Sequence, residues 1–166
     1  LPDRFYSSVE MKRYIGSVNN ERGHAFARTV ADKLRTDGWD ARNEVNMTEL
    51  GASSELGDID VLAWKPGEEV LIIECKRLQL AKTVAEIAEI CRRFQGEVAD
   101  ELDKHLRRVS WVKGNVRSLE MLVGFNLSAG QIDDRLVTNT HVPMKYLSSL
   151  PIAADKIGPL NLPSDN

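Results

Sequence analysis

Apolar residues recur every three or four positions in two long stretches of this chain, which is the spacing of an amphipathic helix. In the first stretch, from about Asn19 to Asp37, the residues Phe26, Val30 and Leu34 lie on one helical stripe. The second stretch runs from about Lys82 to Val109. We therefore predict one helix over each stretch, the second being a long amphipathic helix.

Elsewhere the pattern changes to the alternating or continuously apolar runs that are typical of strands. Pro66-Gly67 separates two of these runs at the distance expected for a hairpin turn. The segments with strand patterns are Trp39–Met47, Asp58–Trp64, Glu69–Lys76, Leu119–Phe125 and Arg135–Val142. The predicted order is α-β-β-β-α-β-β, and one mixed central sheet flanked by helices would bury all of the apolar faces. The expected fold class is therefore α/β.

Length and composition agree with one globular domain. The chain has 166 residues, of which 42% are hydrophobic and 28% are charged. We expect an N-terminal extension over residues 1–18, the domain itself over 19–142, and an irregular, proline-containing tail over 143–166. Because the chain begins with Leu1 and not with methionine, we also expect a processed chain or a piece of a longer protein.

The sequence carries no clear targeting, membrane or disulfide signal. It has no run of 18 apolar residues, and its N-terminus lacks the charged and then apolar pattern of a signal peptide. Its two cysteines, Cys75 and Cys91, form no CxxC pair, and its three histidines are scattered. We therefore predict a cytoplasmic protein without a membrane partner or a structural zinc site.

Charge is distributed unevenly along the chain. From Lys76 to Arg117 there are ten Lys or Arg and six Asp or Glu, a balance of +4, whereas the whole chain carries −3. A basic sector beside an acidic one suits a metal-dependent enzyme that acts on a polyanion. Arg92 and Arg93 are the residues of this sector that we expect to contact nucleic acid, although such charges also simply solvate long helices.

Acidic and basic residues converge at one end of the predicted hairpin. Side chains alternate along a strand, so Glu74 and Lys76 project to one face while Cys75 points to the other. If the hairpin folds about Pro66-Gly67, Asp60 lies roughly across from Glu74. Two neighbouring carboxylates repel each other and are stabilised together by a divalent cation such as Mg²⁺, which prefers oxygen ligands. The main-chain carbonyl of Cys75 is a natural further ligand, and Lys76 could hold or deprotonate a water or contact a phosphate.

The stretch GDIDVLA, followed after a short hairpin by ECK, resembles the PD-(D/E)XK nuclease superfamily, which has the restriction-endonuclease-like fold. The match covers about 20–142 and is most similar to the group of Mrr-type restriction enzymes and archaeal Holliday-junction resolvases. The resemblance implies that Asp60 and Glu74 bind Mg²⁺, with Mn²⁺ as a substitute, and that Lys76 is the catalytic lysine. It also implies an endonuclease that hydrolyses DNA phosphodiester bonds in restriction, defence or repair.

The chain departs from the family pattern on its first helix. Relatives often carry a glutamate at the position that Ala27 occupies here, and the nearest glutamate, Glu21, lies nearly two turns earlier. Glu21 either reaches the site through a shifted helix or is a first-turn helix charge. Asp58 and Glu55 are either substitutes for the missing carboxylate or surface residues, and Gln95 is a further candidate from the long helix. One-metal and two-metal mechanisms therefore both stay open.

Two other functions fit the same residues. The chain could be an inactive member of this fold that binds nucleic acid or protein, or an unrelated α/β domain in which these charges form ordinary salt bridges. Metal binding distinguishes the nuclease hypothesis from both. RNA remains an alternative to DNA as substrate, a homodimer is one way to cut both strands, and specificity would come from a missing recognition domain or a partner protein.

Overall fold

The computed structural model of the chain describes residues 8–146 and 149–160. Its helices are α1 (Val9–Thr36), α2 (Val84–Arg93), α3 (Glu101–Gly114) and α4 (Val116–Val123), and its strands are β1 (Asp40–Asn46), β2 (Asp58–Lys65), β3 (Glu69–Lys76), β4 (Ile132–Thr138) and β5 (Ile157–Gly158). Short 3-10 helices fill several of the connections. None of the described helices combines the length and the apolar character needed to span a membrane.

The strands form one five-stranded mixed sheet in the order β1-β2-β3-β4-β5. The first three are antiparallel neighbours, β4 runs parallel to β3, and β5 runs parallel to β4. The predicted hairpin is confirmed, because Lys65 pairs with Glu69 and Val61 pairs with Ile73. Parallel neighbours need a crossover connection, and α2, α3 and α4 provide it between β3 and β4. The fold class is therefore α/β, as the sequence predicted.

Helices cover both faces of the sheet with apolar side chains. On one face, α1 packs Val30 and Leu34 in a buried cluster with Ile73 of β3. On the other face, α3 and α4 pack in a second cluster with Ile72 of β3, the neighbour whose side chain points the opposite way. Each fully buried Leu or Ile stabilises the fold by about 1.5–3 kcal/mol relative to exposure. A third cluster around Phe94 joins α2, α3 and the C-terminal segment.

The first helix is longer than its apolar stripe predicted. It begins at Val9 rather than near Asn19, and the hydroxyl of Ser8 caps it by accepting a hydrogen bond from the Met11 N–H. Its N-terminal half is largely exposed, as Tyr14 illustrates with 65% of its surface accessible. This half carries Met11, Ile15 and Val18 at helical spacing, but the polar stretch 19–24 separates them from the buried stripe that predicted the helix.

The long helix predicted over Lys82–Val109 is wrong, because the chain forms two helices there. Asp100 ends the break between α2 and α3, and its carboxylate accepts hydrogen bonds from the main-chain N–H groups of Gln95, Gly96 and Glu97. The same carboxylate caps the first turn of α3. Apolar residues on both sides of the break pack into one cluster, so their spacing imitated a continuous helix.

Gly96 allows the close approach of this break to the C-terminal segment. Its φ is 81°, and a Cβ placed there would lie 2.3 Å from Cγ of Pro151. Gly124 has a similar φ of 84° but open space around it. We expect Gly124→Ala to lower the free energy of unfolding by about 1 kcal/mol through backbone strain, and Gly96→Ala by about 1–2 kcal/mol more through the clash. Urea denaturation measures both, and equal losses would contradict the tight contact.

The prediction of a strand over Leu119–Phe125 is wrong as well, because most of this segment lies in helix α4. Leu119 is fully buried whereas Met121 is 88% exposed. Residues two apart share a face in a strand, so this contrast requires a helix. A short apolar run is not long enough for its pattern to distinguish a helix from a strand. Here packing against α3 favours the helix.

The last strands also differ from the prediction. β4 begins at Ile132 rather than at Arg135, because Asp133 and Asp134 near its start are neutralised by ion pairs with Lys156 and so fit a strand. β5 is a two-residue strand inside the segment predicted to be irregular. The observed order is therefore α-β-β-β-α-α-α-β-β.

A buried acid–base cluster at the end of the hairpin

The structure brings Asp60, Glu74 and Lys76 together at the end of the hairpin where β2 begins and β3 ends. Glu74 and Lys76 project to the face covered by α3, and their side chains are 6% and 24% exposed. Cys75 points the opposite way into the cluster under α1. The alternation predicted from the sequence therefore sets the geometry of this site.

Asp60 lies at an irregular position of β2. Ile59 packs on the α3 side of the sheet and Val61 packs on the α1 side, although strand residues two apart normally share a face. Glu44, which falls opposite Asp60 in the β1 register, has a positive φ of 53°. At this distortion, Oδ2 of Asp60 accepts a hydrogen bond of 2.7 Å from the main-chain N–H of Cys75. The carboxylate is therefore tied to β3 directly.

The environment of Asp60 disfavours its charged form. Burial, and secondly the charge of Glu74, raise the pKa of Asp60 to about 6. The Cys75 hydrogen bond and the charges of Lys76 and Arg108 act in the opposite direction but do not cancel the effect. At neutral pH, two nearby carboxylates are thus held together at an energetic cost that a further cation would relieve.

Glu74 lies between two cationic side chains. Its Oε1 is 2.9 Å from Nζ of Lys76, and its Oε2 accepts a hydrogen bond of 2.7 Å from Nη1 of Arg108 on α3. Arg108 is itself 13% exposed, and its Nε donates to the main-chain carbonyl of Leu56 at 2.6 Å. Both oxygens of a nearly inaccessible carboxylate therefore have charged partners.

Lys76 links Glu74 to the start of α3. Its Nζ is also 3.0 Å from Oε2 of Glu101, which in turn lies 3.9 Å from Arg93. Burial alone would lower the pKa of Lys76, but Glu74 and Glu101 outweigh it and hold the pKa above its ordinary value. Lys76 therefore carries a positive charge at neutral pH in this arrangement.

His105 is a further buried group on α3 at this site. It is 1% exposed, and its Nε2, which lies 3.9 Å from Oδ2 of Asp134, has no hydrogen-bond partner among the described residues. Burial lowers the pKa of His105, while the charges of Glu74 and Asp134 oppose this effect only in part. The imidazole is therefore neutral at pH 7.

The other candidate residues from the sequence lie away from these contacts. Glu21 is exposed on α1, and Ala27 is buried against the sheet at the position where the resemblance to the nuclease superfamily predicted a glutamate. Asp58 and Glu55 are exposed, and Gln95 lies in the break between α2 and α3. The acidic side chain that does join the site from a helix is Glu101 of α3, which sequence reasoning missed.

Three residues of α3 that reach the site share a helical spacing. Glu101, His105 and Arg108 are four and three residues apart, which places them on one face of the helix. This spacing is present in the sequence. However, when one helix was predicted from Lys82 to Val109, nothing distinguished these three residues from the other charged residues on its surface. Recognising Asp100 as the N-cap of a separate helix would have made the shared face of these three residues predictable.

Arg92 and Arg93 have different surroundings. Arg92 is 67% exposed and pairs with Glu89 one turn earlier at 2.8 Å. Arg93 lines a cavity of about 780 Å³, which lies between α1, the segment 77–82 and α2. We call this the cationic cavity; its charged lining residues are Arg22, Arg77, Lys82, Glu86, Glu89 and Arg93.

The oxygen donors of the acid–base cluster are the carboxylates of Asp60 and Glu74 and the main-chain carbonyl of Cys75. Within residues 8–146 and 149–160, no group of three or more His, Cys, Asp and Glu side chains is arranged to hold a metal ion.

Fold and site together define an α/β protein with a five-stranded mixed sheet and a buried acid–base cluster at the end of its hairpin. The model of the family described as "Anti-phage protein Upx-like" matches residues 1–159. The chain therefore belongs to the Upx-like anti-phage protein family, and of the three settings expected from the sequence the family supports defence. No curated protein and no solved structure is similar enough to the chain to count as a match.

Proposed function

We propose that this anti-phage protein is a metal-dependent nuclease with a restriction-endonuclease-like domain that hydrolyses DNA phosphodiester bonds. The observation that carries the proposal is the joint placement of Asp60, Glu74 and Lys76 on two paired strands. Burial and mutual repulsion raise the pKa of Asp60 to about 6, so the ionised pair is costly for the fold alone. Perturbed carboxylates of this kind are typical of functional sites.

Mg²⁺ fits the donors of this cluster. The two carboxylates and the Cys75 carbonyl are hard oxygen ligands, and Mg²⁺ usually needs only one or two protein carboxylates because waters and substrate phosphates complete its shell. Bound there, Mg²⁺ or Mn²⁺ would lower the pKa of a water and offset charge on the phosphate. Glu74 already contacts Lys76 and Arg108, so it would exchange one of these partners to act as a ligand.

The protein's own residues have distinct tasks in this proposal. Lys76 is protonated, and it would stabilise negative charge that develops on the phosphate. Arg108, which also donates to the Leu56 carbonyl, holds one oxygen of Glu74 and so fixes the orientation of that carboxylate. DNA is the expected substrate in an anti-phage setting, and RNA is the alternative with the same phosphodiester chemistry.

A catalytically inactive domain that binds nucleic acid or protein is the second candidate. The observation in its favour is that both oxygens of Glu74 already pair with cations. Ala27, which stands where the resemblance to the nuclease superfamily predicts a helix glutamate, supports the same function. Here Lys76 would complete an internal salt bridge, as it would in an unrelated α/β domain, and would not meet a phosphate.

Cleavage of supercoiled plasmid in Mg²⁺, Mn²⁺ or EDTA tests the proposed nuclease. We expect the wild type to nick the plasmid only with metal, and Lys76→Ala to be slower by about 100-fold or more because a cation facing the phosphate is lost. Lys33→Ala, which removes an exposed lysine of α1, should cleave like the wild type.

Each outcome of this assay decides between the candidates. Equal cleavage by wild type and Lys76→Ala, with both proteins melting at the same temperature, would remove Lys76 from the mechanism. Failure of the wild type to cleave plasmid, single-stranded DNA or RNA in either metal would reject the nuclease and favour the binding domain.

A further inference from the structure

The cationic cavity has a charged lining that packing within the chain does not explain. Within the described residues, Arg22, Arg77 and Lys82 form no ion pair. Arg93, the fourth cation, has Glu101 as a neighbour only at 3.9 Å. Four basic side chains from three separate segments therefore surround one space without close acidic partners.

The two carboxylates that line the cavity are engaged by other contacts. Glu86 accepts hydrogen bonds from the main-chain N–H groups of Lys82 and Thr83 at 2.6 and 3.1 Å. Glu89 pairs with Arg92 at 2.8 Å. Four cations line the cavity beside these two carboxylates, a balance of +2, and a concave surface concentrates the field of such charges.

The rest of the lining is partly apolar. Leu78 and Ile90 form part of the wall, and Leu80 is 71% exposed at the same cavity. A volume of about 780 Å³ is in the range of pockets for organic ligands and is more than an inorganic phosphate ion would fill. Guanidinium groups match phosphate oxygens with two parallel hydrogen bonds, and the apolar wall suits a flat, weakly polar ring. The combination fits a phosphate joined to a base.

We propose that the cationic cavity binds a nucleotide. Arg22, Arg77 and Arg93 would hold its phosphate, and the base would lie against the apolar wall of Leu78, Leu80 and Ile90. The nucleotide is either a unit of a nucleic-acid strand or a free mononucleotide. Glu101 lies 3.0 Å from Lys76 and 3.9 Å from Arg93 of the cavity, so in the proposed nuclease a strand whose phosphate meets Lys76 would continue towards the cavity. Only this last alignment rests on the proposed nuclease function; binding itself does not.

Fluorescence anisotropy with a labelled single-stranded oligonucleotide, in EDTA so that metal-dependent cleavage does not occur, tests the cavity. The variant Arg22→Gln/Arg77→Gln removes two lining cations. Arg28→Gln/Arg107→Gln is the matched control, because it removes two exposed arginines of α1 and α3 that do not line the cavity. We expect the first variant to bind about tenfold or more weakly and the control to bind within about twofold of the wild type.

Competition identifies the source of the nucleotide. Displacement by unlabelled oligonucleotide but not by an equal nucleotide concentration of adenosine monophosphate would assign a nucleic-acid strand, and equal displacement by both would assign a free nucleotide. Equal losses in the two double variants, or displacement by polyglutamate as effective as by oligonucleotide, would overturn the proposal. If binding depends on the cavity residues but the protein does not nick plasmid, nucleotide binding is supported and the nuclease activity is rejected. If the protein nicks plasmid but binding does not depend on the cavity residues, the nuclease activity is supported and nucleotide binding in the cavity is rejected.

Discussion

Arg108→Met should lower the free energy of unfolding by about 3 kcal/mol. Arg108 is 13% exposed and contacts both Glu74 and the Leu56 carbonyl, so methionine would keep its aliphatic volume but leave one oxygen of Glu74 without a partner. Removing one member of a buried ion pair costs about 3–5 kcal/mol, because the other charge stays buried. Lys76 still pairs with Glu74, which places the expected loss at the lower end.

Urea denaturation of Arg108→Met beside Arg107→Met measures this effect. Arg107 is the exposed neighbour on the same helix, and its loss should change stability by no more than about 0.5 kcal/mol. Adding Glu74→Gln to Arg108→Met should cost less than the sum of the two single changes, since the unpaired charge is then gone. Similar stabilities for the two arginine variants would show that the pair with Glu74 does not hold α3 to the sheet.

The hairpin and its three charged residues were predictable from the sequence because strand geometry is simple. A period of two fixes which side chains share a face, and the Pro66-Gly67 turn fixes the register that brings Asp60 towards Glu74. No tertiary contact was needed for either step. The irregular position of Asp60 in β2 was not predictable. Ile59 and Val61 are both apolar, and only their packing assigns them to opposite faces of the sheet.

The residues that α3 contributes to the site could be predicted only weakly from the sequence. Arg107 and Arg108 are adjacent arginines in a charged helix, and one is exposed while the other contacts Glu74. Residue type does not separate them, because only the orientation of α3 over the sheet decides which one is buried. The same reason explains why Arg92 and Arg93 received one prediction but have different surroundings.

The cationic cavity lay beyond prediction for a different reason. Arg22, Arg77 and Arg93 come from a helix, the segment after a strand and a second helix, so no local period relates them. Arg22 lies in the helix that the sequence predicted, but it is exposed, and its residue type did not separate it from the other surface charges of that helix. Sites assembled from distant surface segments become visible only when the topology is known.

Asp60→Asn should stabilise the protein by about 3 kcal/mol near neutral pH while removing a proposed metal ligand. The pKa of Asp60 rises from 3.8 to about 6 on folding, first through burial and then through the charge of Glu74, and each pKa unit corresponds to about 1.4 kcal/mol. Asparagine has nearly the same shape, carries no charge, and keeps an oxygen that can accept the Cys75 N–H. The variant therefore avoids the cost of burying the ionised carboxylate.

The pH dependence gives this prediction its sign. Because the folded-state pKa of Asp60 is above the unfolded value, protonation of Asp60 favours folding fully below about pH 3.8, and this contribution is lost as the pH rises through about 6. The advantage of Asp60→Asn over the wild type should thus be absent near pH 4, grow between pH 4 and 6, and stay constant above about pH 7. Urea denaturation across this range measures the difference, and an advantage that grows towards low pH would contradict the burial of Asp60.

Two controls connect this stability effect to the proposed metal site. Asp58→Asn changes an exposed carboxylate of the same strand and should alter stability by no more than about 0.5 kcal/mol at any pH in the range. Mg²⁺ should raise the melting temperature of the wild type and of Asp58→Asn but not that of Asp60→Asn, because a ligand that binds only the folded state stabilises it. If Asp60→Asn is more stable than the wild type but its melting temperature still rises with Mg²⁺ as in the wild type, Asp60 is a buried acid whose charge destabilises the fold, but it is not a metal ligand.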